Sequence, residues 1–219
     1  MKNLILSIKK FLFADTCVCC ENRPDNKLHY LCRGCFNIIL KEKSINKVEN
    51  TYYIWPYRSL FRKLLLEYKG NSILPLSHII SEIISDDFFN IIYNENIDYI
   101  IPIPINYRRE QSRGFNQVEE ILKNLNYSYI KEERIKNTKK MFKILDEEKR
   151  KKNIENSFKS INNFEGKNIL IFDDIITTGA TIDEFKKELL KGSQINKIIV
   201  FSLTATSSYI KKNQKDVLI

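Results

Sequence analysis

Residues Asn168–Thr181 read NILIFDDIITTGAT, and this stretch decides the fold of the 219-residue chain. The near-continuous apolar run at 168–172 predicts a strand of a parallel sheet that is covered on both faces. Two aspartates follow at its carboxyl end, and the Thr-Thr-Gly-Ala-Thr turn opens a helix with Ile182, Phe185 and Leu189 on one face. In open α/β sheets ligands bind outside the carboxyl ends of the strands, so this turn marks the predicted binding edge.

Strand and helix patterns alternate along much of the chain. Strands are predicted at 50–57, 98–105, 127–130 and 197–205, and helices at 60–70, 73–93 and around 118–125. This alternation predicts an α/β fold with a parallel sheet. Dense charge without periodicity predicts a mobile loop over 131–157, and the last dozen residues are expected to form a frayed tail.

The turn after the aspartates has the chemistry of a sugar-phosphate site. A helix N-terminus carries unpaired N–H groups and a partial positive charge, which suits a phosphate. Thr177, Thr178 and Thr181 add hydroxyl donors, and Gly179 lets the backbone come close to the ligand. The Asp173-Asp174 doublet is suited to accept hydrogen bonds from sugar hydroxyls. The alternative is that these residues only cap the helix, since Asp and Thr are favoured there.

All five cysteines lie near the N-terminus, at positions 17, 19, 20, 32 and 35. Two Cys-x-x-Cys pairs supply four sulfur ligands, the number that a tetrahedral structural zinc requires, and they leave Cys19 unexplained. The predicted zinc ligands are Cys17, Cys20, Cys32 and Cys35. The alternatives are disulfides or scattered small hydrophobic residues. We expect residues 1–48 to form an N-terminal helix and this zinc-binding module of four cysteines, and residues 49–219 to form the α/β domain.

Composition excludes several classes of protein. Hydrophobic residues make up 43% of the chain and charged residues 29%, as in a globular protein, and only 6 glycines are present. No apolar run approaches the roughly 20 residues of a membrane-spanning helix. Lys9 and Lys10 interrupt the apolar N-terminus, so 1–17 is interpreted as an amphipathic helix and not a signal peptide, and a cytoplasmic location is expected.

The net charge of +9 suggests an anionic partner, or simply a solvated basic surface.

The Asp173–Thr181 string resembles the phosphoribosyl pyrophosphate (PRPP) signature of type I phosphoribosyltransferases. Other segments resemble the ComF family of competence proteins. They are the paired cysteines, the helix ending in Lys69-Gly70, the stretch 101–117 with its Arg-Gly-Phe-Asn-Gln core, and Arg150-Lys-Lys-Asn153 followed by Phe158. The fold implied is a parallel-sheet α/β, type I phosphoribosyltransferase-like domain with a small N-terminal zinc ribbon-like module. Met141 departs from the resemblance, because the family commonly has Gln there.

The resemblance implies that PRPP binds with Mg²⁺ at the predicted edge. The PRPP-binding residues it implies are Asp173, Asp174, Thr177, Thr178, Gly179, Ala180 and Thr181. It also implies a pyrophosphate loop made of Asn106, Tyr107, Arg108, Arg109 and Arg113. Guanidinium groups suit bidentate contacts with phosphate. In the alternative interpretation, Arg113 pairs with Glu110 or another carboxylate and Asn116 caps the next helix.

The implied function is a competence factor that helps to bring single-stranded DNA into the cytoplasm, with a DNA-uptake motor or channel protein as a possible partner. The first alternative is an active phosphoribosyltransferase in nucleotide salvage or related metabolism, whose acceptor the sequence does not specify. A zinc-stabilised adaptor with a vestigial pocket is the second. Aromatic residues at 52, 53, 55 and 57 could stack on bases, or could pack into the core. Lysines in 131–152 could form a lid over substrate or could follow a nucleic-acid backbone.

Overall fold

The computed structural model describes residues 16–24, 30–136 and 152–214. The predicted N-terminal amphipathic helix lies almost wholly outside the described residues. Most of the predicted mobile loop, at 137–151, and the last five residues also lie outside them.

Strands and helices alternate in the described residues as the sequence pattern predicts. The strands are β1 (Asn46–Val48), β2 (Thr51–Pro56), β3 (Tyr99–Pro102), β4 (Glu133–Arg134), β5 (Phe158–Lys159), β6 (Asn168–Ile176) and β7 (Lys197–Ala205). The helices are α1 (Arg33–Lys41), α2 (Leu60–Gly70), α3 (Leu76–Asn94), α4 (Tyr107–Arg113), α5 (Gln117–Asn124), α6 (Ala180–Gly192) and α7 (Ser207–Gln214). Within this part of the chain, no helix combines the length and the apolar character needed to cross a membrane.

The main sheet has five strands in the order β1-β2-β7-β6-β3. β2, β7, β6 and β3 run parallel, and only the edge strand β1 is antiparallel to its neighbour. The carboxyl ends of the four parallel strands therefore meet at one edge. A second, two-stranded sheet pairs β4 with β5.

β6 is covered on both faces, as its apolar run predicts. Leu170 and Phe172 pack into one hydrophobic cluster, which α2, α3 and α5 complete. Ile169 and Ile171 pack into a second cluster, on the side of α6. This alternation follows from the two-residue period of a strand.

The cysteine-rich segment packs against the first cluster. Leu31 and Ile39 are fully buried there, and the Trp55 indole N–H donates a 3.0 Å hydrogen bond to the carbonyl oxygen of Ile39. Lys63 on α2 donates to the carbonyl oxygen of Cys19 at 2.6 Å. The segment is therefore anchored to β2 and α2, while the predicted division of the chain at residue 48 stays a prediction.

The predicted strand at 127–130 is wrong. The backbone hydrogen bond linking this segment to the sheet runs from the Ile130 N–H to the carbonyl oxygen of Ile100, at 2.9 Å, and one bond does not make a ladder. Tyr127 and Tyr129 instead turn their rings toward the core, which accounts for the apolar pattern.

The ends of two other elements differ from expectation. β6 continues to Ile176, beyond its apolar run, because β7 keeps pairing with it as far as Ala205. The expected frayed tail begins as α7, since Tyr209 is buried and its hydroxyl lies 2.9 Å from the Thr51 hydroxyl. A buried tyrosine in a lysine-rich segment left too weak a pattern to predict this helix.

Candidate functional site: a cavity at the carboxyl edge of the sheet

A cavity of about 500 Å³ opens at the carboxyl edge of the parallel strands. Its wall combines residues from the ends of β2 and β6, from α2, α4 and α5, and from the bend before α6. The predicted site residues that line it are Arg109, Arg113, Asp173, Asp174, Thr177 and Thr181. The structure therefore brings together two segments that the sequence predicted separately.

The bend before α6 has the geometry that its sequence predicts. Gly179 is the N-cap of the helix and has a φ of 83°, in the left-handed region that favours glycine. Thr177 and Thr181 line the cavity on either side of the bend, whereas Ala180 is buried behind it. Among the described residues, the buried hydroxyl of Thr178 has no hydrogen-bond partner. Thr178 does not line the cavity, so its role as a phosphate ligand stays a prediction.

The two aspartates have opposite electrostatic environments. Burial raises the pKa of the Asp173 carboxyl well above its ordinary value, and the negative charge of Asp174 raises it further. Burial also acts to raise the pKa of Asp174, but the Lys69 ammonium, 2.7 Å from Asp174 Oδ2, outweighs it and lowers that pKa. Asp173 Oδ1 in turn accepts a hydrogen bond from the Asp174 N–H at 2.9 Å. The site thus holds one ionised carboxylate and one carboxyl group that retains its proton more readily.

Three guanidinium groups surround the cavity. Burial lowers the pKa of Arg109 and Arg113, and it lowers the pKa of Arg134 to about 10, with the positive charge of Arg109 adding to the effect. The Arg113 Nη1 donates to Gln117 Oε1 at 2.7 Å, and Asp174 is its nearby opposite charge. The alternative interpretation pairs Arg113 with Glu110 or another carboxylate. The hydrogen-bond partner of Arg113 is instead the Gln117 amide, and the carboxylate near it is that of Asp174. Partly desolvated cations in one cavity suit a ligand with several negative charges.

The rest of the predicted pyrophosphate loop lies outside the cavity wall. The segment Tyr107–Arg113 is the helix α4 and not a loop, because the Asn106 side chain caps it by accepting from the Arg108 N–H at 3.0 Å. Asn106 is buried in this role, and Tyr107 and Arg108 are exposed. Asn116 likewise caps α5 by accepting from the Val118 N–H. A ligand role for Asn106, Tyr107 and Arg108 stays a prediction.

Two of the four predicted aromatic stacking residues are buried, whereas Tyr52 and Tyr57 are half-buried. Trp55 is fully buried and stacks on Phe61 with ring centroids 3.7 Å apart, and Tyr53 is buried as well. The core-packing interpretation is therefore right for these two residues. Tyr57 is different, because it lines the cavity and the Arg62 guanidinium lies 5.0 Å from the centre of its ring.

Four cysteine sulfurs form a second constellation, near the N-terminus. The Sγ atoms of the four predicted ligands lie within 4.8 Å of one another, and those of Cys20 and Cys32 are 3.6 Å apart. A tetrahedral site with Zn–S bonds of about 2.3 Å places its sulfurs roughly 3.8 Å apart, so the donor set fits zinc. The N–H groups of Cys19 and Cys35 point at the Cys17 and Cys32 sulfurs, each at 3.4 Å. The Cys19 side chain is buried and is not a member of the cluster.

Sequence reasoning missed three residues of the cavity as functional residues. The sequence predicts Lys69 only as the end of a helix, Gln117 only as part of a motif, and Arg134 only as part of the charged stretch 131–157. All three line the cavity. Lys69 and Gln117 lie in segments that resemble the ComF family, and this resemblance could have indicated a functional role. The sequence around Arg134 contains nothing that indicates a buried position.

Comparison with known proteins identifies the family to which this chain belongs. The PRTase-CE family model matches residues 61–218. The chain belongs to the PRTase-CE family. Its predicted resemblance to ComF proteins is confirmed, and so is the predicted α/β fold with a mostly parallel sheet.

Relatives of this PRTase-CE protein include "Competence protein ComFC" of Bacillus subtilis, 26% identical over 208 residues, which cover 83% of this chain and 85% of that protein. "DNA utilization protein YhgH" of Escherichia coli K12 is 30% identical over 99 residues, or 43% of this chain and 44% of that protein. Among solved structures, a hypoxanthine phosphoribosyltransferase from Staphylococcus aureus aligns with a TM-score of 0.36 and 12% identity over 65% of this chain and 68% of that one.

Proposed function

We propose that this protein is a competence factor that assists the uptake and handling of single-stranded DNA in the cytoplasm, and that its cavity binds PRPP with Mg²⁺. Two relatives support the DNA role, since one is named a competence protein and the other a DNA utilization protein. The net charge of +9 suits contact with a nucleic-acid backbone. A DNA-uptake motor or channel protein is the partner that this role implies.

The observation that carries the PRPP proposal is the meeting of three chemistries in one cavity. The bend at Thr177 and Thr181 offers donors for a 5-phosphate, and the Asp173-Asp174 doublet offers acceptors for the ribose hydroxyls. Arg109 and Arg113 offer positive charge for a diphosphate that carries Mg²⁺. A ribose with phosphate groups at both ends matches this order of acceptors and donors.

The cysteine cluster is proposed to hold a structural zinc. Four thiolates leave no open coordination position, so the metal contributes to folding and not to chemistry. Because Lys63 ties Cys19 to α2, zinc binding also fixes the helix that carries Lys69 to the cavity. We propose residues 1–48 as this zinc module and 49–219 as the PRPP-binding domain.

Calorimetry with PRPP and Mg²⁺ tests the proposed ligand. We expect the wild-type protein to bind and the variant Asp173→Ala/Asp174→Ala to lose binding, because the ribose hydroxyls lose their acceptors. The matched control is Asp86→Ala/Asp87→Ala, which changes an adjacent aspartate doublet on α3, outside the cavity wall. Wild-type protein that gives no heat with PRPP and Mg²⁺ would refute the PRPP part of the proposal.

The DNA role has its own test. The purified protein should bind single-stranded DNA, with an affinity that falls steeply as salt rises because counterions are released from the phosphates. Deletion should abolish DNA uptake in a transformable strain. If DNA binding is absent at low salt and uptake survives deletion, the competence role fails even where PRPP still binds.

An active phosphoribosyltransferase is a second candidate, and one observation favours it. Part of the cavity wall is apolar, formed by Leu66, Ile103 and Val118, and this surface suits the ring of an acceptor more than a phosphate. Release of pyrophosphate from PRPP with Mg²⁺, measured over a panel of bases and amines, tests it. PRPP binding without turnover on any acceptor would leave a ligand-sensing role.

A further inference from the structure

Gln117 is a buried residue of the cavity wall, with a relative exposure of 1%. It is the first residue of α5, and its backbone carbonyl accepts a 2.8 Å hydrogen bond from the Tyr68 hydroxyl. This hydrogen bond ties the backbone of Gln117 to α2 and so limits how its side chain can move.

The orientation of the Gln117 amide is set by Arg113. The Arg113 Nη1 lies 2.7 Å from the side-chain oxygen of Gln117. A guanidinium group has only donors, so the amide atom that faces it must be the oxygen. The amide nitrogen, Nε2, consequently faces elsewhere, and among the described residues it has no hydrogen-bond partner.

An unpartnered buried donor is rare, because it loses its hydrogen bonds with water and gains nothing in return. Gln117 lies next to Arg113 and lines the same cavity as Lys69 and Arg109. Each of these side chains can only donate, apart from the Gln117 oxygen that Arg113 already uses. Lys69 already pairs with Asp174, and Arg113 uses the Gln117 oxygen, whereas the described residues offer the Gln117 Nε2 no acceptor. A ligand in the cavity would supply that acceptor.

We propose that Gln117 is a ligand-binding residue, whose Nε2 donates to an oxyanion of the bound diphosphate beside Arg113. The proposal rests on the proposed function, because it assigns a contact to the same ligand. Gln117 thus adds a neutral, directional donor beside the cations Arg109 and Arg113. Such a donor selects for an oxygen at a fixed position, whereas the cations select mainly for charge.

Calorimetry with inorganic pyrophosphate and Mg²⁺ on the full chain tests the proposal. Gln117→Glu keeps an acceptor for Arg113 and removes the donor, and Gln117→Met removes both. The matched control is Gln111→Glu, the same change at an exposed residue of α4. We expect both Gln117 variants to lose about tenfold or more in affinity and the control to stay within about twofold. Thermal unfolding identifies any variant that fails to fold, in which case the other variant is used.

A spectroscopic measurement separates ligand binding from positioning of Arg113. In ¹⁵N-labelled wild-type protein, the side-chain amide of Gln117 is identified by its absence from the Gln117→Met spectrum. Pyrophosphate should shift this resonance and leave that of Gln111 in place. An unmoved Gln117 resonance, or Gln117 variants that bind as tightly as wild type, would overturn the inference alone. Wild-type protein that binds neither pyrophosphate nor PRPP would overturn the proposed function with it.

Discussion

The Lys69 ammonium lies 2.7 Å from Asp174 Oδ2 and joins the last turn of α2 to the carboxyl end of β6. Both side chains are mostly buried, with relative exposures of 22% and 11%. The pair places a cation directly beside the doublet assigned to the ribose. It is also the main reason that the pKa of Asp174 is lowered although burial alone would raise it, and the positive charge of Arg113 adds to the effect.

Replacing Lys69 with Met should destabilise the protein at neutral pH by roughly 1.5–3 kcal/mol, because it leaves a buried carboxylate without its charged hydrogen-bond partner. The lowered pKa of Asp174 means that the pair stabilises the fold above the ordinary carboxyl pKa, and that this contribution is lost as the pH falls through the folded pKa. We therefore expect urea unfolding at several pH values to show the largest difference in free energy of unfolding between the wild type and Lys69→Met near neutrality. This difference should become smaller in acid.

The control for this variant is Lys123→Met, which breaks the more exposed pair of Lys123 with Glu120 on α5. Pairs of that kind contribute about 0–1 kcal/mol, so the control should lose much less stability. Equal losses in the two variants, or a loss at Lys69 that does not depend on pH, would contradict the assignment.

Asp173 should affect the pH dependence of stability in the sense opposite to Asp174, and the variant Asp173→Asn tests this. The pKa of Asp173 is raised in the folded protein, first by burial and then by Asp174, so the folded state binds a proton that the unfolded state has already released. The free energy of unfolding of the wild type should then fall as the pH rises from the ordinary carboxyl range toward neutrality. Asparagine resembles the protonated carboxyl and does not titrate. Over this pH range, the free energy of unfolding of the variant should therefore increase relative to that of the wild type.

Asp86→Asn on the exposed surface of α3 serves as the control for Asp173→Asn and should show no such pH-dependent gain. Chemical denaturation at matched ionic strength measures both variants. If the free energies of unfolding of Asp173→Asn and the wild type differ by the same amount at every pH, then the Asp173 carboxyl does not retain its proton in the folded state.

Removal of one sulfur from the cysteine cluster should abolish the zinc binding proposed above. Cys20→Ser should lower the zinc content from one per chain to near zero and lower the thermal stability, because a structural zinc contributes to folding. Cys19→Ala should retain one zinc, since Cys19 lies outside the cluster and is held by packing. Metal analysis of the purified variants distinguishes the two cysteines, and zinc loss from both would mean that Cys19 is a ligand.

The sequence predicted those parts of the site that lie within a short, continuous stretch of the chain. The strand, the doublet and the bend at 168–181 each leave a pattern within a few residues, as do the Cys-x-x-Cys pairs. Pairs formed across the fold leave no such pattern. The contact of Lys69 with Asp174 depends on how α2 crosses the end of β6, which hydrophobic periodicity does not specify.

Arg134 shows the same limit more sharply. It reaches the cavity because β4 pairs with β5, and each of these strands has two residues. An element that short has no period to detect, and the charged sequence around it predicts a mobile loop. Its guanidinium lies 5.2 Å from the centre of the Phe158 ring, because Arg134 and Phe158 are directly opposite each other in the pairing of β4 with β5.

The bend at Gly179 gives the most direct test of the phosphate site. A Cβ atom at this position would lie 2.9 Å from Cε2 of Tyr209, and the φ of 83° is one that alanine adopts only with strain. The Tyr209 ring cannot easily move aside, because it is buried and its hydroxyl is hydrogen-bonded to Thr51. Gly179→Ala should therefore destabilise the protein by about 1–3 kcal/mol and weaken PRPP binding by displacing the donors at Thr177 and Thr181.

Gly166→Ala is the matched control, since Gly166 also has a positive φ, of 66°, but open space where its Cβ would lie. It should lose stability through backbone strain and leave PRPP binding unchanged. The double variant Gly179→Ala/Tyr209→Leu removes the crowding ring atoms, so it should recover part of the binding lost in Gly179→Ala alone. If Gly179→Ala binds PRPP like the wild type while Asp173→Ala/Asp174→Ala does not, then the phosphate end of the ligand lies away from this bend.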